Sequence, residues 1–388
     1  MIYLDNAATS WPKPKQVYQA VNDCLHTAGA NPGRGSHLMA RQAGTILADA
    51  RDQLAGLFNV ADSEQIVFTL NATAAINMAL FGLVKPGWRI VTTAVEHNAV
   101  ARPLRQLEKQ GAKLLIVGCD AEGQLKKEEL MAALSGGAEM VIAGHASNVT
   151  GVIMPIAEIG AMARKAGALF AIDAAQTAGV EEIDVAAMNI DLLAFAGHKS
   201  LYGPQGTGGL YINPEIKLAP RCFGGTGSMS ESDLQPEFLP DMLESGTPNT
   251  PGIAGLKAGV EYIRATGLTA IRGHERKLTA DLMQGLAEIP GVKLYGPPQS
   301  KERAAVICLN VDGIDSGEVA HLLDRDYNIA CRSGLHCAPW AHRSLGTLTS
   351  GALRLSPGYF TTPVEVESAV KAIAALARKG GSRERYTC

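Results

Sequence analysis

The sequence predicts an α/β protein with a mostly parallel central sheet flanked by helices, followed by a smaller α+β unit. Between residues 64 and 212 an apolar run, a polar or glycine turn and a helical stretch alternate repeatedly, which is the βαβ pattern of a parallel sheet. The pattern changes after Thr250, and 388 residues exceed what one hydrophobic core usually serves. We therefore expect two domains.

Seven apolar runs are the candidate strands of the central sheet: Gln65–Leu70, Arg89–Ala94, Lys113–Val117, Met140–Gly144, Ala168–Ile172, Leu192–Phe195 and Gly209–Ile212. Polar residues follow several of these runs at or near their ends: Asn71, His97, Ser147, Asp173 and His198. Open parallel sheets bind ligands beyond the carboxyl ends of their strands. These polar side chains should therefore converge on one crevice.

The second unit is predicted to begin with one long helical stretch from Gly252 to Ile289. Strands at Ala305–Val311, Ile329–Cys331 and Ala352–Leu355 then alternate with helices. The last helix should begin with a capping box, in which Thr362 caps the helix, Pro363 takes the first position and Glu365 reaches back.

Three regions follow from this pattern. Residues 1–14 form an N-terminal segment that packs with the small domain, residues 15–251 form the large domain, and residues 252–388 form the small domain. The stretch 224–251 is rich in Gly, Ser, Thr and Pro, and we interpret it as an active-site loop and domain boundary.

Composition favours small-molecule chemistry. The net charge is only −3 and the basic residues are scattered, so no basic face indicates a nucleic acid or an anionic membrane as partner.

The N-terminus lacks the features of a secretion signal, and no apolar run approaches ~20 residues; we expect a cytoplasmic protein. The seven cysteines include no CxxC pair, which favours reduced thiols over a disulfide framework.

The most specific feature is the pair Asp173 and Lys199, in the segments AIDAAQT and FAGHKSLYGPQGTGG. A lysine attacks an aldehyde only as the neutral amine, so a reactive lysine needs desolvation or a nearby cation. A carboxylate at the end of an apolar strand needs a cationic partner, and the pyridinium nitrogen of pyridoxal phosphate (PLP) is one. Separately, Asp173 could be a turn former and Lys199 a surface charge.

Three neighbouring turns extend this PLP hypothesis. Ala72 and Thr73 open a helix whose free N–H groups suit the cofactor phosphate, although Thr73 could merely cap that helix. His97 could lie flat over the pyridine ring or be a structural residue. Gln176 could reach the ring hydroxyl or be only a turn residue.

Nine short motifs occur in order along the chain: YLDNAATS at 3–10, NPGRGSH at 31–37, NATAAIN at 71–77, EHNA at 96–99, SNVTG at 147–151, DAAQ at 173–176, GHK at 197–199, GTPN at 246–249 and RSGLHCA at 332–338. With them the chain resembles the group II cysteine desulfurases and selenocysteine lyases of the class V aminotransferase family. This resemblance implies the PLP-dependent fold type I, with residues 15–251 as the PLP-binding domain and the catalytic cysteine loop in the small domain.

The resemblance also implies roles for single residues. Lys199 would bind PLP covalently, Asp173 would hold the pyridine nitrogen, His97 would stack on the ring and Gln176 would contact the ring oxygen. The phosphate would be held by Thr73 and His198, with Thr247 reaching the cofactor of a neighbouring subunit in a homodimer. One position departs from the family: a serine that often ligates the phosphate is Ala196 here.

The loop from Cys331 to Cys337 carries the predicted nucleophile. Arg332 and His336 beside Cys337 favour a thiolate, and Gly334 would let the loop move. A zinc site of Cys331, His336, Cys337 and His342 is the alternative, but the spacing lacks a CxxC or HxxxH pair. Cys388 has no predicted role beyond a tail thiol.

Substrate recognition requires a cation for an amino acid carboxylate, and a guanidinium matches it in a bidentate manner. By resemblance, Arg354 binds that carboxylate and Asn148 assists it, with Arg332 and His37 as further substrate-binding residues. The activity implied is conversion of L-cysteine to alanine with a persulfide formed on Cys337, for which a sulfur-acceptor protein is a possible partner. Open alternatives are a selenocysteine, cysteine or cystine lyase, an aminotransferase, and a non-catalytic sulfur-carrier scaffold.

Overall fold

The computed structural model describes residues 1–33, 35–120, 122–298 and 303–383. Its helices are Lys15–Thr27 (α1), Leu38–Phe58 (α2), Ala72–Leu83 (α3), Asn98–Lys109 (α4), Lys127–Ser135 (α5), Ile156–Lys165 (α6), Thr250–Thr266 (α7), Leu268–Ala287 (α8), Ser316–Tyr327 (α9), Pro339–Ser344 (α10) and Pro363–Arg383 (α11). Its strands are Ile2–Tyr3 (β1), Ile66–Thr69 (β2), Arg89–Thr93 (β3), Lys113–Val117 (β4), Met140–Gly144 (β5), Leu169–Asp173 (β6), Leu192–Ala196 (β7), Gly208–Ile212 (β8), Val292–Tyr295 (β9), Ile307–Val311 (β10), Ile329–Ala330 (β11), Arg332–Gly334 (β12) and Ala352–Leu355 (β13).

The central sheet has seven strands in the order β2-β8-β7-β6-β5-β3-β4. All neighbours pair in parallel except at β8, which is antiparallel to β2 and β7. Successive side chains of a strand point to opposite faces, so Val141 packs in the core on one face and Ile142 in the core on the other. Burial on both faces explains why the strands read as continuous apolar runs. The predicted α/β fold and its seven central strands are confirmed.

The second sheet is antiparallel, with the order β12-β13-β10-β9. Together with α8, α9 and α11 it encloses a separate apolar core. Two of its strands, β9 and β12, were not predicted. The helical stretch predicted from Gly252 to Ile289 consists of two helices: Gly267 has φ +89°, a left-handed conformation that separates α7 from α8.

The N-terminal residues contact both parts of the molecule. Strand β1 pairs in parallel with β11, and Leu4 lies in the core of the second sheet. Ser10 and Lys13 instead bind backbone oxygens near Lys199. Helix α7 begins at Thr250, beside the predicted boundary at residue 251, and packs on α1 and α2. The predicted domain boundaries stay a prediction. No helix in the described part of the chain is long and apolar enough to cross a membrane.

The capping box at the start of α11 is present as predicted. The Thr362 N–H donates to the Glu365 carboxylate at 2.8 Å, and the Glu365 N–H donates to the Thr362 hydroxyl at 3.3 Å. We expect Thr362→Ala to lower the free energy of unfolding by about 1 kcal/mol, since it removes a cap from a helix that packs on α8. Chemical denaturation measures this, with the mid-helix variant Ser368→Ala as control. Equal effects of the two variants would contradict the capping role.

Candidate active site

One pocket lies at the carboxyl ends of the central strands, where the sequence predicts a crevice. Most predicted site residues line it: Ala72, Thr73, His97, Asn148, Asp173, Gln176, His198, Lys199, Arg332 and Arg354. These residues come from loops that follow five strands of the central sheet and from the second sheet. The pocket therefore depends on both sheets.

Lys199 and Asp173 form the charged centre of the pocket. Burial lowers the pKa of Lys199 to about 8, although the Asp173 carboxylate opposes the shift. Asp173 is the last residue of β6 and only 8% exposed. Burial raises its pKa, while a 2.9 Å hydrogen bond from the Ala175 N–H and the charge of Lys199 act against that shift. Partial desolvation of an amine beside a buried carboxylate is the environment of a reactive lysine.

The first turn of α3 forms one wall. Asn71 caps this helix by accepting from the Ala74 N–H at 2.9 Å, so the cap role considered for Thr73 belongs to Asn71. Ala72 and Thr73 line the pocket with amide groups that have no carbonyl one turn earlier. Nearby, Nδ1 of His198 is buried and has no hydrogen-bond partner among the described residues. These donors suit an anion such as a phosphate.

His97 both caps a helix and lines the pocket. Its Nδ1 accepts from the Ala99 N–H at 3.0 Å, which puts the ring proton on Nε2. Burial, followed by the charges of Lys199 and Arg332, lowers the pKa of His97 to about 4. The ring is therefore neutral at physiological pH. The structural and functional interpretations of this histidine are compatible.

Cys337 lies at the rim of the pocket. Its exposed thiol opens into a groove that shares Thr73 and His97 with the pocket. The Arg332 guanidinium is 3.8 Å from the sulfur, and the Asn98 N–H donates to the Cys337 carbonyl at 2.7 Å. The loop needs glycine at Gly334, whose φ of +100° L side chains rarely adopt.

Arg354 is only 1% exposed, whereas an arginine in a strand is ordinarily at the surface. Its Nη2 lies 2.7 Å from an Asp5 carboxylate oxygen and its Nη1 donates to the Asn148 carbonyl at 3.2 Å. Its Nε has no partner within the described ranges. The Asn148 amide donates to the His336 carbonyl at 2.8 Å, so Asn148 links the arginine to the cysteine loop.

Besides Cys337 at the rim, two predicted residues lie outside the pocket. His37 accepts from the Ala40 N–H at 3.4 Å and caps α2. Thr247 accepts from the Asn31 amide at 3.3 Å and lines a different cavity. The roles of His37 in substrate binding and of Thr247 across a subunit boundary stay predictions.

A family match agrees with the motifs and geometry of this pocket. The profile of the family described as Aminotransferase class-V matches residues 2–368. The chain belongs to this family. This confirms the resemblance that the motifs indicate, and with it the PLP-dependent fold type I as the fold class.

Relatives within the family are similar along nearly their whole length. A probable cysteine desulfurase of Methanothermobacter thermautotrophicus is 34% identical, with 98% of this chain and 95% of the relative covered. Among solved structures, the apo cysteine desulfurase of Thermococcus onnurineus has a TM-score of 0.92 at 37% identity, covering 97% and 95%. A cysteine desulfurase of Escherichia coli has a TM-score of 0.87 at 30% identity, covering 97% and 94%.

Two residues at the site of this class-V aminotransferase family member were not predicted from the sequence: Glu96 lines the pocket, and Asp5 contacts the pocket residue Arg354. Asp5 pairs with Arg354, and Glu96 is 1% exposed next to His97. Both Glu96 oxygens accept from the Gly144 N–H at 3.0 Å, and burial raises the Glu96 pKa to about 7. Asp5 lies in the motif YLDNAATS and Glu96 in the motif EHNA. Membership in these motifs was the sequence feature from which both residues could have been predicted.

The zinc alternative depended on clustered ligands. Among the described ranges, no group of three or more His, Cys, Asp or Glu side chains is arranged to hold a metal ion. Instead, the side chains of His336 and His342 form a hydrogen bond, with 3.2 Å between Nδ1 of His336 and Nε2 of His342. Cys388 lies outside the described residues.

Proposed function

We propose that this protein is a PLP-dependent cysteine desulfurase that converts L-cysteine to L-alanine and receives the sulfur as a persulfide on Cys337. One observation carries the proposal: Lys199 and Asp173 line one pocket, and the Cys337 thiol lies at its rim. An aminotransferase would use the lysine and the aspartate but has no need of the cysteine. The names of the relatives agree with this choice.

The residues of the pocket fit PLP. Lys199 would bind it covalently, Asp173 would hold the ring nitrogen, and the unpartnered His198 Nδ1 with the amides of Ala72 and Thr73 would hold the phosphate. His97 and Gln176 would contact the ring. When bound, the pyridinium ring takes up the electrons left at the substrate Cα.

Arg354 would bind the substrate carboxylate. Its buried Nε is a donor without a partner among the described residues, and its Nη2 is bound only to Asp5. A substrate carboxylate would take the unpaired donor and compete with Asp5 for the guanidinium. Bidentate recognition of this kind orients an amino acid with its Cα toward Lys199.

Lys199 would remove the Cα proton, because its lowered pKa leaves part of it as the neutral amine near neutral pH. The Cys337 thiolate would then attack the substrate sulfur. The S–S bond forms as the Cβ–S bond breaks, and the electron pair of the broken bond takes up a proton at Cβ to give the methyl group of alanine. Lys199 would then return the proton to Cα. His97, with its proton on Nε2, is the candidate proton donor.

We further propose a homodimer in which Thr247 reaches the cofactor of the neighbouring subunit. Its position away from the pocket of its own chain supports this arrangement. A sulfur-acceptor protein would then remove the persulfide from the exposed rim at Cys337. Sedimentation velocity measures the dimer, and a monomer at micromolar concentration would contradict it.

Alanine production from cysteine and from selenocysteine, measured side by side, tests the function. A desulfurase yields alanine from cysteine with a mass increase of one sulfur atom on Cys337. Turnover of selenocysteine alone would identify a selenocysteine lyase. A purified protein that binds no PLP would support a non-catalytic scaffold.

We expect Asp173→Asn to bind PLP weakly and to lose about two to three orders of magnitude in turnover, because an electron sink needs the charge that a carboxylate stabilises. The cofactor absorbance spectrum and steady-state rates measure this. Asp191→Asn is the matched control, since Asp191, directly before β7, is also a buried carboxylate but accepts from the Phe170 N–H away from the pocket. Near-normal turnover of Asp173→Asn would show that another group holds the nitrogen.

A further inference from the structure

We propose that His342 and Thr347 are positioning residues for the Cys337 loop: together they fix the ring of His336 with its proton on Nε2, and so hold the turn that presents the Cys337 thiol. The link to sulfur transfer rests on the proposed function, whereas the hydrogen-bonded chain itself does not.

Three side chains form a continuous chain beneath the loop. Nδ1 of His336 lies 3.2 Å from Nε2 of His342, and Nδ1 of His342 lies 2.8 Å from the Thr347 hydroxyl. The imidazole rings stack with their centroids 5.4 Å apart and their planes inclined by 22°. All three residues are at most 2% exposed. Water therefore cannot replace a lost partner without rearrangement.

One carbonyl indicates the direction of every hydrogen bond in this chain. Nε2 of His336 lies 3.4 Å from the Arg332 carbonyl oxygen, which can only accept, so Nε2 carries the proton. Burial lowers the pKa of His336 to about 3 and also lowers that of His342, so each ring carries a single proton. Nδ1 of His336 must then accept from Nε2 of His342, whose Nδ1 in turn accepts from the Thr347 hydroxyl.

The residues above this chain have an unusual backbone. His336 and Cys337 are consecutive non-glycine residues with φ of +50° and +56°, a region that costs energy unless surrounding contacts hold it. The Asn148 amide and the Asn98 N–H hold the two carbonyls of the turn. The His336 side chain is held from beneath by His342. The turn is therefore fixed on its backbone side and its ring side independently.

This arrangement connects a buried pair with the site of chemistry. His336 lines the pocket that contains Lys199, while the next residue, Cys337, lines the adjoining groove. Because His336 and Cys337 share a peptide bond and both have positive φ, we expect that loss of the contacts that hold the His336 ring lets the backbone of this turn shift. The distance of the thiol from a bound substrate then changes, although the residues that bind the substrate stay in place.

A pair of substitutions at one position tests the proposal. In His342→Gln the amide nitrogen lies near the former Nε2 and can still donate to His336, whereas in His342→Asn the shorter amide reaches only the Thr347 side. We expect His342→Asn to lose up to about 100-fold in kcat for alanine formation from cysteine, the scale of a 1 Å misplacement, with KM nearly unchanged. His342→Gln should keep most of the activity.

Two readouts on the purified holoenzyme do not depend on turnover. Spectra of ¹⁵N-labelled histidine report which His336 nitrogen is protonated: Nε2 in wild type and His342→Gln, and a mixture in His342→Asn. The rate of Cys337 alkylation by iodoacetamide should change in His342→Asn and stay at the wild-type value in His342→Gln. Thr347→Val should reproduce His342→Asn and Thr347→Ser should not, which keeps the test decisive if one variant fails to fold.

The proposal would be overturned if folded His342→Asn and Thr347→Val had the same kinetics, the same rate of Cys337 alkylation and the same His336 protonation as wild type. Equal losses in His342→Gln and His342→Asn would also overturn it, because they would indicate general loss of packing. If wild type makes no alanine from cysteine, the proposed function fails, and the alkylation and ¹⁵N comparisons still decide the positioning role.

Discussion

Replacing Lys199 with alanine is expected to abolish the covalent attachment of PLP and to lower turnover of cysteine by more than about 10⁴-fold. The variant loses both the covalent anchor and the base for the Cα proton, and general base catalysis alone contributes about 10²–10⁴-fold. Borohydride reduction followed by mass spectrometry detects the covalent adduct. Non-covalent PLP can remain, since the other residues of the pocket are unchanged.

Lys13 provides the control for this variant. It is a second lysine whose pKa burial lowers to about 8, and its Nζ donates to the His198 carbonyl at 2.7 Å, but it does not line the pocket. Lys13→Ala should keep the reducible adduct. An unchanged adduct in Lys199→Ala would show that another lysine holds the cofactor.

The second large effect is expected at the sulfur acceptor. Cys337→Ala should abolish alanine formation from cysteine while substrate and cofactor binding persist, because thiolate leaves carbon poorly and the sulfur needs a nucleophile to remove it. A selenol is far more acidic than a thiol and the C–Se bond is weaker. The same variant should therefore keep much of its activity on selenocysteine.

Cys331→Ala is the matched control on the same loop. Burial raises the pKa of Cys331 to about 12, so this thiol should stay protonated and inert. Assays of alanine on both substrates, with mass spectrometry of the persulfide, compare the two variants. Normal cysteine turnover by Cys337→Ala, together with no persulfide on wild type, would exclude the sulfur-transfer mechanism and favour a simple lyase or transaminase.

Most strands of the central sheet were predictable because both of their faces are buried, which makes them continuous apolar runs. Several of these runs are followed by polar residues. The two strands of the second sheet that were not predicted, β9 and β12, lie at its edges. Strand β12 reads Arg-Ser-Gly and has no apolar pattern, since its pairing with β13 uses the backbone alone. A strand that is held by backbone hydrogen bonds alone places few requirements on its side chains, so its sequence does not identify it as a strand.

The sequence by itself determined the fold class and the motifs of the pocket, and it predicted Lys199, Asp173 and Cys337 as the chemical centre of that pocket. Only the tertiary structure decided which groups share hydrogen bonds inside it. Asp5 and Arg354 are 349 positions apart, and His336 meets His342 through the turn of a short helix. Such pairs depend on distances set by chain packing, and a single sequence records side-chain types and spacings but not the distances between remote residues.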